Sequence, residues 1–236
     1  NTPATSPTNA DTLVFRVTFS EDVASVDPAD FAVSGTTATV SNVNQVSADV
    51  YDVTVSGGDL AGLDGTVGLD LAGGQNITDL AGNALPNTEP GTDQTYLVDN
   101  SAPSTPVADL QAASDTGTSD SDDITNDTTP TIEISTEPGA TVEWFIDGVS
   151  QGTTTADGGG VATFTPSSDL APGTYAFTAQ STDDAGNTSA ASNALNVTID
   201  TAAPSTTSFE RNTPATSPTN ADTLVFRVTF SEDVAS

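Results

Sequence analysis

Along most of the chain, apolar and polar residues alternate one by one. Leu13, Phe15, Val17 and Phe19 fall on one face of an extended segment, and Val14, Arg16 and Thr18 on the other. A period of two predicts a strand with one buried face. The same pattern predicts strands at 48–56, with Tyr51, Val53 and Val55 inward, and at 65–71 and 95–99. Further on it predicts strands at 107–110, 131–135, 141–146, 161–164, 173–180 and 194–199. Clusters of Gly, Pro, Asn and Asp separate these segments, and helical spacing is nearly absent.

Repetition organises the strands. Residues 1–25 recur unchanged at 212–236, a period of 211 residues, so the sequence reads as a cut from a tandem array. A weaker echo lies near half that period. Val98-Asp99-x-x-Ala102-Pro103 matches Ile199-Asp200-x-x-Ala203-Pro204, and Asp79-x-Ala81-Gly82-Asn83 matches Asp183-x-Ala185-Gly186-Asn187. Thr8-Asn9-x-x-Thr12 likewise matches Thr125-Asn126-x-x-Thr129. The expected units are 1–100, beginning at its second strand, 101–200, and 201–236, the first strands of the next copy. Short strands with regular turn signals, in units of about 100 residues, indicate sandwiches of immunoglobulin type. Trp144 suits the buried strand-C tryptophan of such a sandwich. The expected fold class is therefore all-β: tandem immunoglobulin-like antiparallel β-sandwiches in an elongated arrangement.

Composition narrows the chemistry. There are 33 Asp and Glu against three Arg, with no Lys, His, Cys or Met, and the net charge is -30. Disulfides, thiolate or imidazole metal sites, Cys or Lys nucleophiles and Ser-His-Asp triads each lack a required member. Nucleic acid is excluded as a partner because its phosphates need a positive surface, and anionic membranes repel the chain for the same reason. No apolar stretch is long enough to span a bilayer, and no basic segment precedes an apolar run, so the sequence is expected to begin inside a larger protein. Leu, Ile, Val and Phe make up about a fifth of the chain, which at this charge borders on disorder. Folding is expected to need help.

Several motifs together give a family resemblance. Phe19-Ser20-Glu21, Asp79-Leu80-Ala81-Gly82-Asn83-Ala84-Leu85, the Asp-rich run 115–127 ending in Thr129-Pro130, and residues 183–187 resemble the bacterial Ig-like repeats of giant, calcium-dependent surface adhesins exported by type I secretion. The resemblance implies a stalk at the bacterial cell surface, as in biofilm-associated proteins, with Ca2+ at or near the module junctions. The first unit has no counterpart to the Asp-rich run 115–123.

Antiparallel topology places the candidate ligands. With strands A, B, C, F and G of the second unit at 107–110, 131–135, 141–146, 173–180 and 194–199, the B–C and F–G loops lie where the chain enters. Glu137, Asp183, Asp184 and Asn187 then gather beside Asp99 and Asn100 of the linker. Bare, such a group repels itself by about a kcal/mol or more per close pair. A hard cation with six to eight oxygen ligands, Ca2+ rather than Mg2+, relieves the repulsion. The first unit offers Glu21, Asp22, Asp79 and Asn83 without a linker Asp, and the far end offers Asp200, Glu232 and Asp233, so both terminal sites are expected to be incomplete. A second candidate is the A–B connection, with Asp115, Asp120, Asp122, Asp123, Asn126 and Asp127. It lacks the Gly and Glu of an EF-hand loop. Asp157-Gly158-Gly159-Gly160 reads as a hairpin turn.

Asp and Asn are also ordinary turn formers, and scattered acids such as Asp49, Asp52 and Asp70 serve solubility. Trp144, Tyr175 and Phe177 read as core rather than as a sugar platform. The function expected is a non-enzymatic, extracellular structural extender, rigidified by Ca2+ and projecting a distal binding region. The alternative is a carbohydrate- or receptor-binding module. The expected partners are adjacent repeats of the same chain, with head-to-tail self-association through strand addition, and neither nucleic acid nor membrane insertion.

Overall fold

The computed structural model describes residues 1–88, 90–91 and 93–234. The first unit contains β1 (Thr12–Thr18), β2 (Val23–Ala24), β3 (Phe31–Ser34), β4 (Thr39–Ser47), β5 (Val50–Ser56), β6 (Gly65–Leu71), β7 (Thr78–Asp79) and β8 (Tyr96–Val98). Two sheets, ordered β1-β5-β4 and β3-β6-β8, share one core, and β2 pairs with β7 beside them. Alternation fills that core: Leu13 and Phe15 from β1 meet Val53 and Val55 from β5, Phe31 from β3, and Val67 and Leu69 from β6. Phe15 packs edge-to-face on Tyr96, with ring centroids 5.1 Å apart.

The second unit contains β9 (Ala108–Leu110), β10 (Ile124–Thr125), β11 (Ile132–Ser135), β12 (Thr141–Ile146), β13 (Val149–Thr155), β14 (Val161–Phe164), β15 (Gly173–Thr182) and β16 (Leu195–Ile199). Its sheets run β10-β16-β15-β12-β13 and β14-β11-β9. Between them lie Trp144, Phe177, Ile132, Ile134 and Val197, all buried, and Trp144 stacks on Phe164. Trp144 and Phe177 are thus core, as the alternation requires, and the Trp144 indole N–H donates to Thr154 Oγ1. Finally β17 (Thr206–Thr213) and β18 (Val225–Phe230) form an antiparallel pair.

The Thr-Asn echo has a structural cause. Thr8 pairs in parallel with Val98, and Thr125 in parallel with Ile199 at the β10–β16 contact. In each unit a buried threonine carries the chain onto the last strand. Its hydroxyl accepts an N–H two residues on, from Ala10 and Asp127 respectively. The first unit therefore has this parallel bridge, although no longer strand precedes it among the described residues.

Strands β3, β4 and β13, and the two-residue β2, β7 and β10, lie outside the strands that alternation predicts. Most of β4 and β13 is exposed. β13 has no buried face, and β4 turns only Val40 and Val43 toward the core, three residues apart across a bulge, so neither carries a period of two; the hairpin hydrogen bonds to β5 and β12 hold them in the sheet. The turn at Asp157, expected to be a hairpin, instead carries the chain from β13 in one sheet to β14 in the other, and its Oδ1 accepts the N–H groups of Gly159 and Val161. Gly160 there has φ 80°, and a Cβ would stand 2.2 Å from the Thr136 carbonyl oxygen, so no other residue fits without a shift.

Candidate functional site

The recurring Asp-x-Ala-Gly-Asn motif builds the same turn twice. Asp79 N–H donates to the Asn83 carbonyl and Asp183 N–H to the Asn187 carbonyl, at 2.9 and 3.0 Å. The carboxylate of each Asp then accepts from its Asn: Asn83 N–H at 2.8 Å and Nδ2 at 2.6 Å, and Asn187 N–H at 2.8 Å and Nδ2 at 2.9 Å. The Asn83 amide, foremost, and the backbone donors hold the Asp79 carboxyl below the usual carboxylate range. Gly82 and Gly186 take the left-handed conformation that closes each turn. Locally, then, the motif is a turn, and both aspartates have partners in the protein.

At the second copy of the turn something is added. Asn187 Nδ2 also donates to the Asp99 carbonyl at 2.8 Å, and Asn9 Nδ2 donates to Asn187 Oδ1 at 3.1 Å. Asn9 N–H reaches the Ala185 carbonyl at 3.3 Å. One side chain thus joins the second unit to both the linker and the start of the first. Beside it a cleft of ≈ 180 Å3 is lined by Pro7, Asp99, Glu137, Pro138, Ala140, Asp183, Asp184 and Ala185. Topology alone placed those four acids together, and all four line this cleft. Asn100 faces elsewhere: its side-chain amide donates to the Leu60 and Leu63 carbonyls, and its N–H to Asp64. Ser101 donates to Asp64 as well, and with Asn100 it lowers the Asp64 pKa. The linker is thereby tied to the first unit.

The terminal sets differ. Glu21, Asp22 and Asp79 line a shallow cleft with Leu80 and Ala81, and Asn83 lies on an adjoining one. Asp200 accepts the Ala202 N–H, as Asp99 accepts that of Ser101, while Glu232 and Asp233 follow β18.

The A–B connection contains the most unusual carboxylate. Asp115 is only 5% exposed, and its Oδ1 has no hydrogen-bond partner. Its Oδ2 has only a long 3.4 Å contact from the Asp123 N–H. Burial, then the charges of Asp115, Asp109 and Asp122, push the Asp123 carboxyl above its ordinary range. Asp122 accepts the Ile124 N–H, Asp127 accepts from Ser114 and Thr129, and Asn126 accepts from Thr116. These three shape the loop, and Asp120 is exposed. Among the described residues, no group of three or more acidic side chains stands close enough, as placed, to hold a metal ion. The donor chemistry nevertheless suits a hard cation in both places: all-oxygen ligands, like charges gathered together, and at Asp115 a buried oxygen left unsatisfied.

Sequence reasoning missed Asn9 and Asp109. The Thr-Asn echo pointed to Asn9. Asp109, on the exposed face of β9, carried no such signal.

Residues 102–201 match the family described as bacterial Ig-like domain. No curated protein matches the chain. Among solved structures it is similar to a biofilm associated protein BSP domain, at 23% identity and TM-score 0.31, covering 83% of this chain and 29% of that one. It is similar also to a tetra-tandem repeat in the extending region of a large adhesion protein, at 15% identity and TM-score 0.34, covering 85% and 52%. A third is the human OSCAR ligand-binding domain, at 16% identity and TM-score 0.38, covering 83% and 95%. The chain thus spans less than a third of the first of these and about half of the second. No helix among the described residues is long and apolar enough to cross a membrane.

Proposed function

We propose that this chain, with a bacterial Ig-like domain at 102–201, is an extender segment of a bacterial surface adhesin, whose joints are stiffened by Ca2+ outside the cell. The observation that carries the reading is the Asn187 bridge, which fastens the second unit to both the Asp99 linker and Asn9 beside a cleft lined by four acids. A sequence repeated with a period of 211 residues gives length, and length is useful only if the joints between units keep their angle.

Asp99, Glu137, Asp183 and Asp184 are the residues that would hold Ca2+ at the joint, and Asp115, Asp123, Asp122 and Asp109 those in the A–B connection. The ion supplies charge neutralisation and a cross-link between carboxylates. The protein's own residues do the rest: the Asp-Asn turn presents Asp183 and Asp184, and Asp64 and Asn100 fix the linker so that Asp99 arrives in place. A ligand at about a hundred times its dissociation constant stabilises the folded state by about 2.7 kcal/mol, a large share for units so poor in apolar residues.

Thermal melting and small-angle scattering of the full chain, with calcium and with EDTA, test the reading. Calcium should raise the melting temperature of the second unit and narrow the spread of particle dimensions. Identical melting curves and identical maximum dimensions in the two conditions would refute it.

A further inference from the structure

Each unit closes in the same way, with a short segment running parallel to its last strand, yet the two segments are held by different chemistry. In the first unit Thr8 N–H donates to the Leu97 carbonyl and Asp99 N–H to the Thr8 carbonyl, both at 3.0 Å. In the second, Thr198 N–H donates to the Asp123 carbonyl and Asp200 N–H to the Thr125 carbonyl, both at 2.8 Å. Because β10 and β16 are parallel, a pull toward the N-terminus on one and toward the C-terminus on the other slides them past each other. The two bonds of such a clamp are loaded together instead of parting one after the other.

What lies beneath the two clamps differs. Residues 1–10, which lead into the first, contain no acid, whereas residues 112–125, which lead into the second, contain Asp115, Asp120, Asp122 and Asp123. Both carbonyls of the second clamp belong to residues fastened to Ser114 and Asp115. The Thr125 hydroxyl donates to the Ser114 carbonyl, and the Asp123 N–H faces Asp115 Oδ2 at 3.4 Å. Asp115 is 5% exposed, and its Oδ1 has no partner among the described residues. A carboxylate so buried is costly unless a cation or a full set of donors meets it. Asp123 reaches it with its backbone in the left-handed region, at φ 58°, which is uncommon for a residue with a side chain. One residue thus presents its carbonyl to the clamp and its N–H to the buried charge, so whatever stabilises Asp115 is transmitted to the bond from Thr198.

We propose that the clamp of the second unit is gated by a divalent cation at Asp115 and Asp123, while that of the first holds without one. The inference rests on the reading of the A–B connection as a Ca2+ site given above, and adds what that site controls. With the charge of Asp115 compensated, Ser114 and Asp115 anchor β10, and β10 holds β16 and Asp200 at the exit. With it bare, repulsion between Asp115 and Asp123 works against the 3.4 Å contact and loosens β10 from the sheet. Every period of 211 residues then contains one unit that yields under load when calcium is scarce and one that does not. Such a chain lengthens by releasing alternate units before it loses the rest.

Amide hydrogen exchange of the full chain, with calcium at about a hundred times its dissociation constant and with EDTA, tests this. Calcium should slow exchange at Thr198 and Asp200 by about a hundredfold, the factor contributed by ligand excess when opening releases the ligand. Asp115→Asn should abolish most of that slowing, and Asp120→Asn, exposed in the same run, should keep it. Asp115→Asn leaves the four acids of the joint in place, so exchange at Thr8 should match that of the native chain in either condition. Calorimetric titration should count one ion fewer for Asp115→Asn. Under constant force applied at the ends of the chain, calcium should lengthen the life of one of the two unfolding events, and Asp115→Asn should remove the difference. No calcium bound by the native chain would overturn this proposal and the A–B reading together. One ion fewer in Asp115→Asn, with Thr198 and Asp200 of the native chain exchanging alike in calcium and EDTA, would overturn the clamp alone. So would a slowing that survives Asp115→Asn, or both unfolding events lengthened alike.

Discussion

Replacing Asn187 by Ala removes three hydrogen bonds, and two of them cross between the units. Asn187 Nδ2 reaches the Asp99 carbonyl at 2.8 Å, and Asn9 Nδ2 reaches Asn187 Oδ1 at 3.1 Å. The third, to Asp183 Oδ2, is internal to the turn and has its counterpart at Asn83 and Asp79. A neutral hydrogen bond contributes a net of about 0.5–1.5 kcal/mol, so the crossing pair is worth about 1–3 kcal/mol together. Trp144 is the only tryptophan and lies in the second core, so its fluorescence in a urea titration follows that unit alone. The expected loss for Asn187→Ala is the turn contribution plus the crossing pair, and Asn83→Ala, followed by circular dichroism, gives the turn contribution by itself. A double-mutant cycle with Asn9→Ala isolates the contact across the joint, and the expected coupling is about 0.5–1 kcal/mol. Strict additivity of the two substitutions, or an Asn187→Ala loss no larger than that of Asn83→Ala, would show that the bridge does not couple the units.

Asp115→Asn, which keeps the shape but removes the buried charge, should stabilise the second unit in EDTA by about 1–3 kcal/mol and reduce the gain from calcium, both read by Trp144 melting; a loss of stability in EDTA would contradict this. For Asp157, the N–H groups of Val161 and Gly159 hold the carboxyl below its ordinary range, so its contribution is present above the unfolded value near about 3.9 and is lost as pH falls through the lower folded value. Asp157→Asn should therefore be less stable at neutral pH and lose less stability between about pH 5 and 2, as acid titration by circular dichroism would show.

Much of the fold could be read from alternation because the strands that build the cores have one wet face and one dry face. β1, β5 and β12 carry such a pattern, and the buried residues all fall on their inward faces. β4 and β13 are most legible from their partners, since hydrogen bonds to β5 and β12 keep them in place with little burial. The grouping of Asp99, Glu137, Asp183 and Asp184 followed from topology, because strand direction fixes which loops share an end of a sandwich. What the sequence left hidden is how a single residue is used. Asn100 and Asn187 were read alike as candidate ligands, yet Asn100 turns its amide into the first unit, while Asn187 spans the joint. That choice depends on carbonyls many positions away. The orphaned Asp115 oxygen was equally hidden, since burial inside a loop full of aspartates leaves no periodic mark.

The tie between Asp64, Asn100 and Ser101 has a mechanical consequence. Because the exit segment is held to the body of the first unit, tension along the chain leaves that unit at Ser101. Between there and β9, residues 102–107 could reach about 20 Å if fully drawn out. Pro103 and Pro106 are buried, and their rings already restrict the backbone. There is little slack for a pull to take up, so a load passes almost at once from one folded body to the next.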